Sequence, residues 1–217
     1  QCLAQVHGAH QPLLTLACLS AEAKLHLLTG QHEALIQRAD NLIELSRHTG
    51  IQSESETAWP CLFAVNSCLN RMDWQGAQDW MAKMPSAEHW SPWTRFNHLN
   101  HSARLALVQG DIEQALAEGT QALALSQQVG NGNTDALNHL MLSQICAHKG
   151  DQITARDHLA HSRSYAQRAD CRFLLAMVCL VEAQFASDDG DEGRSVHLLR
   201  DGFFLARTGG YVLGFCD

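Results

Sequence analysis

The sequence has no cluster of cations. Fifteen Lys and Arg stand against 23 Asp and Glu, a net charge of −8, and no Lys/Arg-rich run occurs. A duplex-binding surface needs clustered positive charge to displace counterions, so direct nucleic-acid binding by this segment is not expected. No run of 18 or more apolar residues occurs, which excludes a membrane-spanning helix. No Gly-x-x-x-x-Gly-Lys-Ser/Thr loop is present, so a P-loop for ATP is excluded and no cofactor is assigned. Alternation of apolar and polar residues never lasts long enough for a sheet. Of the four prolines, only Pro60, Pro85 and Pro92 lie away from the N-terminus, which leaves long stretches open to helix.

Two further absences concern compartment and context. There are eight cysteines but no Cys-x-x-Cys pair. Cys61/Cys68 and Cys171/Cys179 fall in predicted helices beside apolar residues, which points to buried thiols in a reducing cytoplasm. The chain begins with Gln1, carries no charged apolar leader and stops abruptly on an apolar run, so it reads as a piece of a longer protein.

What is present is a repeat. Gly110-Asp111-Ile112-Glu113-Gln114-Ala115 has a counterpart 40 residues on, Gly150-Asp151-Gln152-Ile153-Thr154-Ala155. A third copy follows after another 40, Gly190-Asp191-Glu192-Gly193-Arg194-Ser195. Each has a Gly-Asp turn and a small residue five positions after the Gly: Ala115, Ala155, Ser195. Met72-Asp73-Trp74-Gln75-Gly76-Ala77 is a worn copy in which Met72 replaces the Gly. Periods of this length mark repeat arrays, in which one unit cannot bury its apolar face until a neighbour stacks on it.

Helical apolar spacing with turn residues between predicts five hairpins, at about 12–50, 55–85, 91–130, 133–170 and 171–208, with a truncated sixth from 211. The individual helices are expected near Leu13–Thr29, Gln31–His48, Glu56–Arg71, Trp74–Met84, Pro92–Gln109, Asp111–Val129, Asp135–Lys149, Asp151–Ala169, Cys171–Ser187 and Asp191–Arg207. Pro60 is expected in a first turn, where no intrahelical donor is lost. Ser53 or Ser55, Ser91, and Asn133 or Thr134 are the predicted caps. The fold class is all-α, a right-handed α-α superhelix forming a single domain over 1–217.

The run from Leu105 through Gly110-Asp111 to Ala115, with Ala122 seven residues further, resembles the tetratricopeptide repeat. The small residue seven before each Gly, Ala103, Ser143 and Ala183, is in keeping with it. The period of 40 is longer than that family's 34. Longer repeats of this style, as in Leu25-His26-Leu27-Leu28-Thr29-Gly30 and Phe204-Leu205-Ala206-Arg207-Thr208-Gly209, resemble the sensor domain of bacterial ATP-dependent LuxR-type transcriptional regulators, the maltose-regulon activator group. The resemblance implies a non-enzymatic cytoplasmic signal-transduction domain that receives a small effector or a regulatory protein. The alternative it leaves open is a scaffold that binds a partner peptide in a concave groove.

Registering the repeats on their turns places Lys24, Asn66, Arg104, Gln144 and Gln184 at equivalent first-helix positions, with Asn97, Asn100 and His101 on the same or an adjacent face. Such groups hold a peptide backbone, a carboxylate or sugar hydroxyls, or they simply form the solvated face that a groove needs. Trp74, Trp80, Trp90 and Trp93 cluster around the irregular second hairpin, where they either stack on a ligand or fill the space a short helix leaves. His98/His101 and His158/His161 have i,i+3 spacing but no zinc pattern around them, and the acidic run Asp188–Glu192 lacks a calcium loop, so no metal is assigned. No nucleophile–base–orienter set is legible, which argues against an enzyme. A cut last repeat exposing Val212, Leu213 and Phe215 raises the possibility of a homodimer through that end.

Overall fold

The computed structural model describes residues 12–50 and 53–209. Among the described residues all regular structure is helical. The helices are α1 (Pro12–Leu28), α2 (His32–Thr49), α3 (Glu54–Asn70), α4 (Trp74–Ala82), α5 (Pro92–Gln109), α6 (Ile112–Val129), α7 (Gly132–Lys149), α8 (Gln152–Arg168), α9 (Arg172–Asp188) and α10 (Glu192–Gly209), with a 3-10 turn at Ala87–His89. No described helix is long and apolar enough to cross a membrane. Val212, Leu213 and Phe215 lie outside the described residues.

The described residues form two compact units that divide between Thr94 and Arg95. In the first, α1 packs on α2, α2 on α3 and α3 on α4, and α1 also lies against α3. Its core is built from Leu16, Leu19, Ala23, Leu35 and Leu42. In the second unit α6 packs on α7, α7 on α8, α8 on α9 and α9 on α10, while α7 also meets α9. Contact of successive helices together with contact between alternate ones is compatible with stacked helical hairpins. Leu140, Leu159, Leu174, Val178 and Phe185 form one core of this unit. Ala103, Ala106, Ala115, Leu142 and Ile145 form another.

The Gly-Asp turns share one hydrogen-bond pattern. Gly110, Gly150 and Gly190 have φ of 82°, 89° and 79°, a left-handed conformation that a side chain resists. The amides of Asp111, Asp151 and Asp191 return to the carbonyls of Ala106, Cys146 and Ala186 at 2.9, 2.9 and 2.8 Å. Each Asp carboxylate then accepts from the amide three residues on, in Gln114, Thr154 and Arg194. One dipeptide therefore ends one helix and caps the next. The worn copy keeps both bonds: Asp73 N donates to Cys68 O at 2.9 Å, and Asp73 accepts from Gly76 N. Met72 takes the glycine's place with φ 59°.

The small residues are buried. Ala103, Ala115, Ser143 and Ala155 have no exposed surface. In the last described hairpin Ser195 Oγ donates to Ala183 O at 2.8 Å, tying α10 to α9 at the small-residue position.

Some local expectations require correction. Helix α3 starts at Glu54, so Pro60 sits in its interior, fully buried, rather than in the first turn. A proline at that position removes one i→i−4 backbone bond from the helix. Ser53 occupies the N-cap of α3 without a side-chain capping bond. The cap of α7 is Asn131, which accepts from Asn133 N and Thr134 N, so the helix begins three residues before Asp135. Helix α4 ends at Ala82, earlier than Met84. Cys171 is the N-cap of α9 rather than a helical residue. Ser91 caps α5 as expected, accepting from Thr94 N, with Pro92 opening the helix.

Candidate functional site

The first-helix ladder resolves into residues with different fates. In the first unit Lys24 is exposed and Asn66 half-buried. In the second, Gln144 and Gln184 are exposed, while Asn97, Asn100 and Arg104 are half-buried. Asn100 is committed to structure: its Nδ2 donates to Asn138 Oδ1 at 2.9 Å, and Asn138, fully buried, donates on to Ser126 Oγ. Gln184 donates to Asp188 along its own helix at 2.8 Å. Arg104 lies beside buried His101, whose Nδ1 has no hydrogen-bond partner. Burial lowers the guanidinium pKa to about 10, still high enough to keep the charge at neutral pH. The His101 imidazole is pushed down to about 3 by burial first, then by Arg104 and His98, so it is neutral.

The tryptophans differ in exposure. Trp80 is 5% exposed, with Lys83 Nζ 3.7 Å from its ring centroid, so it is a core residue rather than a stacking surface. Trp74 and Trp90 are half-buried, and Trp93 is exposed. The fifth tryptophan, Trp59, donates Nε1–H to Thr94 Oγ1 at 3.1 Å.

Histidines gather where the sequence shows only a pair. His158 and His161 on α8 are joined by His139 of α7: His139 and His158 meet Nδ1 to Nδ1 at 2.8 Å, and the His161 ring stacks on His139 at 4.9 Å. Among the described residues no three His, Cys, Asp or Glu groups are arranged to hold a metal ion. The acidic turn is spent on structure, with Asp191 as a cap and Asp189 paired with Arg156. The described cysteines are free thiols. Burial raises Cys61 and Cys68 to about 11, so neither is a thiolate near neutral pH.

The site that sequence reading missed lies in the second unit, between α8, α9 and α10. Arg156, Leu159, Ala160 and Arg163 of α8, Glu182, Phe185 and Ala186 of α9, and Arg194 of α10 line a cleft of about 210 Å³. Leu159, Phe185 and Ala186 supply a buried apolar floor. Arg156 Nη2 donates to both carboxylate oxygens of Asp189, each at 2.8 Å, and the guanidinium carbon lies 5.8 Å from the Phe185 centroid. Arg163 grips Glu182 through both carboxylate oxygens, Nε to Oε1 at 2.6 Å. Arg194 has its backbone amide fixed by Asp191, while its exposed side chain has no acidic partner among the described residues. Three guanidinium groups thus rim an apolar floor on an acidic chain, and the third is surplus. The legible signal was the i,i+7 spacing of Arg156 and Arg163, which puts both on one face of α8.

Neither a protein-family model nor a curated protein matches this chain.

Proposed function

We propose that this chain is a non-enzymatic recognition module, a tetratricopeptide-like α-superhelix that serves as the sensor segment of a larger cytoplasmic regulator. The observation that carries the reading is the cleft between α8, α9 and α10, where the Arg194 side chain projects beside an apolar floor without an acidic partner among the described residues. Two paired arginines give that wall rigidity, and the unpaired one supplies attraction to a ligand. The cleft joins two consecutive hairpins, so a ligand that prefers one spacing of α8 against α10 shifts the population of states the parent protein samples.

A second reading, a scaffold for a partner peptide, draws on Gln144, which is exposed on the first helix of its hairpin. The two readings predict different sites.

The test is a thermal-shift screen against metabolites, sugars and peptides, repeated on Ala160→Trp, which fills the cleft, and on Gln144→Ala. A ligand at 100 times its dissociation constant adds about 2.7 kcal/mol of stability. The sensor reading predicts stabilisers that Ala160→Trp abolishes and Gln144→Ala leaves alone. Stabilisers with the opposite pattern favour the scaffold.

A further inference from the structure

The geometry points to a small monoanionic organic acid, a carboxylate on an apolar stem, as the ligand class of the cleft walled by Arg156, Arg163 and Arg194. This rests on the reading of the cleft as the recognition site and specifies what it recognises.

Charge comes first. Arg156 is neutralised by Asp189 and Arg163 by Glu182, which leaves Arg194 as the cleft-lining guanidinium without an acidic partner among the described residues. One surplus guanidinium matches one carboxylate, as a two-point planar pair. With one surplus positive charge among the cleft-lining groups, a monoanion is balanced there while a dianion leaves a net negative charge on an apolar floor.

Shape comes second. Leu159, Phe185 and Ala186 are buried residues that line the cleft floor. An inorganic anion leaves that floor wet; a hydrocarbon stem covers it. The volume of about 210 Å³ is below the roughly 300–1,000 Å³ of sites for drug-sized ligands, which suits a short stem rather than a long chain.

Preorganisation comes third. Asp191 accepts the Arg194 amide at 3.0 Å, which anchors the base of that side chain in the first turn of α10.

The test is an NMR chemical-shift titration with hexanoate, with hexanamide as its neutral analogue and inorganic phosphate as a bare anion. Wild type, Arg194→Ala, Arg194→Lys and Ala160→Trp are compared. Hexanoate is expected to saturate, with the largest shifts at residues 156–163 and 182–194. Arg194→Ala should weaken it about tenfold or more, Arg194→Lys should restore part of that loss, and Ala160→Trp should abolish binding. Hexanamide binding as well as hexanoate, phosphate binding as well as hexanoate, or an unchanged affinity in Arg194→Ala would each overturn the assignment. An acetylated pentapeptide ending in leucine that binds tenfold tighter than hexanoate would also overturn it, giving the cleft to a chain end. A neutral compound lost in Ala160→Trp but kept in Arg194→Ala sinks the acid while leaving the recognition site standing. If Ala160→Trp keeps full affinity for every ligand found, the cleft reading itself fails.

Discussion

His139 and His158 face each other across α7 and α8 with their Nδ1 atoms 2.8 Å apart, a distance at which one ring donates and the other must accept. Both rings cannot be protonated in this arrangement. His139 is lowered from 6.5 to about 4, by burial first, then by His158 and His161, with Asp135 opposing. His158 is lowered as well, by burial and His161, against Asp157.

Acid should therefore destabilise the protein well before its carboxylates are protonated. A histidine whose folded pKa is depressed binds fewer protons folded than unfolded. Its contribution is intact above 6.5 and is lost as pH falls through the window from 6.5 towards about 4. His101, buried and lowered to about 3, acts in the same direction. Melting temperature is expected to drop steadily from pH 7 to pH 5, and His139→Gln should flatten part of that slope. A melting temperature that rises on acidification contradicts the assignment of neutral, packed imidazoles.

Ala115 has no exposed surface and sits in the cluster with Ala103, Ala106 and Ile145. Ala115→Leu should cost about 1–3 kcal/mol by overpacking. Urea denaturation with an unchanged slope and a lower midpoint is the expected signature.

Glycines on the second helices are not equivalent. A Cβ at Gly202 would come within 3.2 Å of the Ala176 carbonyl and 3.3 Å of Cys179 Cβ, neither of which can swing aside. At Gly119 the nearest atoms are the ends of Leu142, Met141 and Ile145, which can. Gly202→Ala should lower the melting temperature more than Gly119→Ala, although both gain the same helix propensity.

Asn138 is fully buried and links Asn100 on α5 to Ser126 on α6. Asn138→Ala leaves those partners short of a bond and should cost about 1–3 kcal/mol. Asp111→Ala removes only the cap of α6, a loss of about 1 kcal/mol. Denaturation curves of the two variants test that ordering.

Helix positions were legible because Gly-Asp dipeptides and small residues serve one purpose wherever they recur, and a carboxylate three residues before an amide caps a helix whatever surrounds it. Pro92 after Ser91 set the start of α5 for the same reason. Pro60 was misread because the proline rule concerns a helix's start, and Asn131-Gly132 was misread because two asparagines and a threonine compete for one cap. The candidate site was less legible. Registering first helices identified exposed Gln144 and Gln184, but it could not show that Asn100 is spent on Asn138, a residue 38 positions away. The arginine cleft combines one face of α8 with α9 and the first turn of α10. Its partners are separated in sequence by 19 to 33 residues, Arg163 from Glu182 and Arg156 from Asp189. Only packing brings such pairs together, and among the described residues Arg194 has no such pair.

The most direct test of the recognition account is hydrogen-exchange mass spectrometry with the strongest stabiliser from the ligand screen. The account predicts slowed exchange confined to peptides covering 152–168 and 182–195, and none in the Ala160→Trp variant. Slowed exchange along α5 and α7 instead, with 152–168 and 182–195 unchanged, would contradict it and move the site to the first-helix ladder.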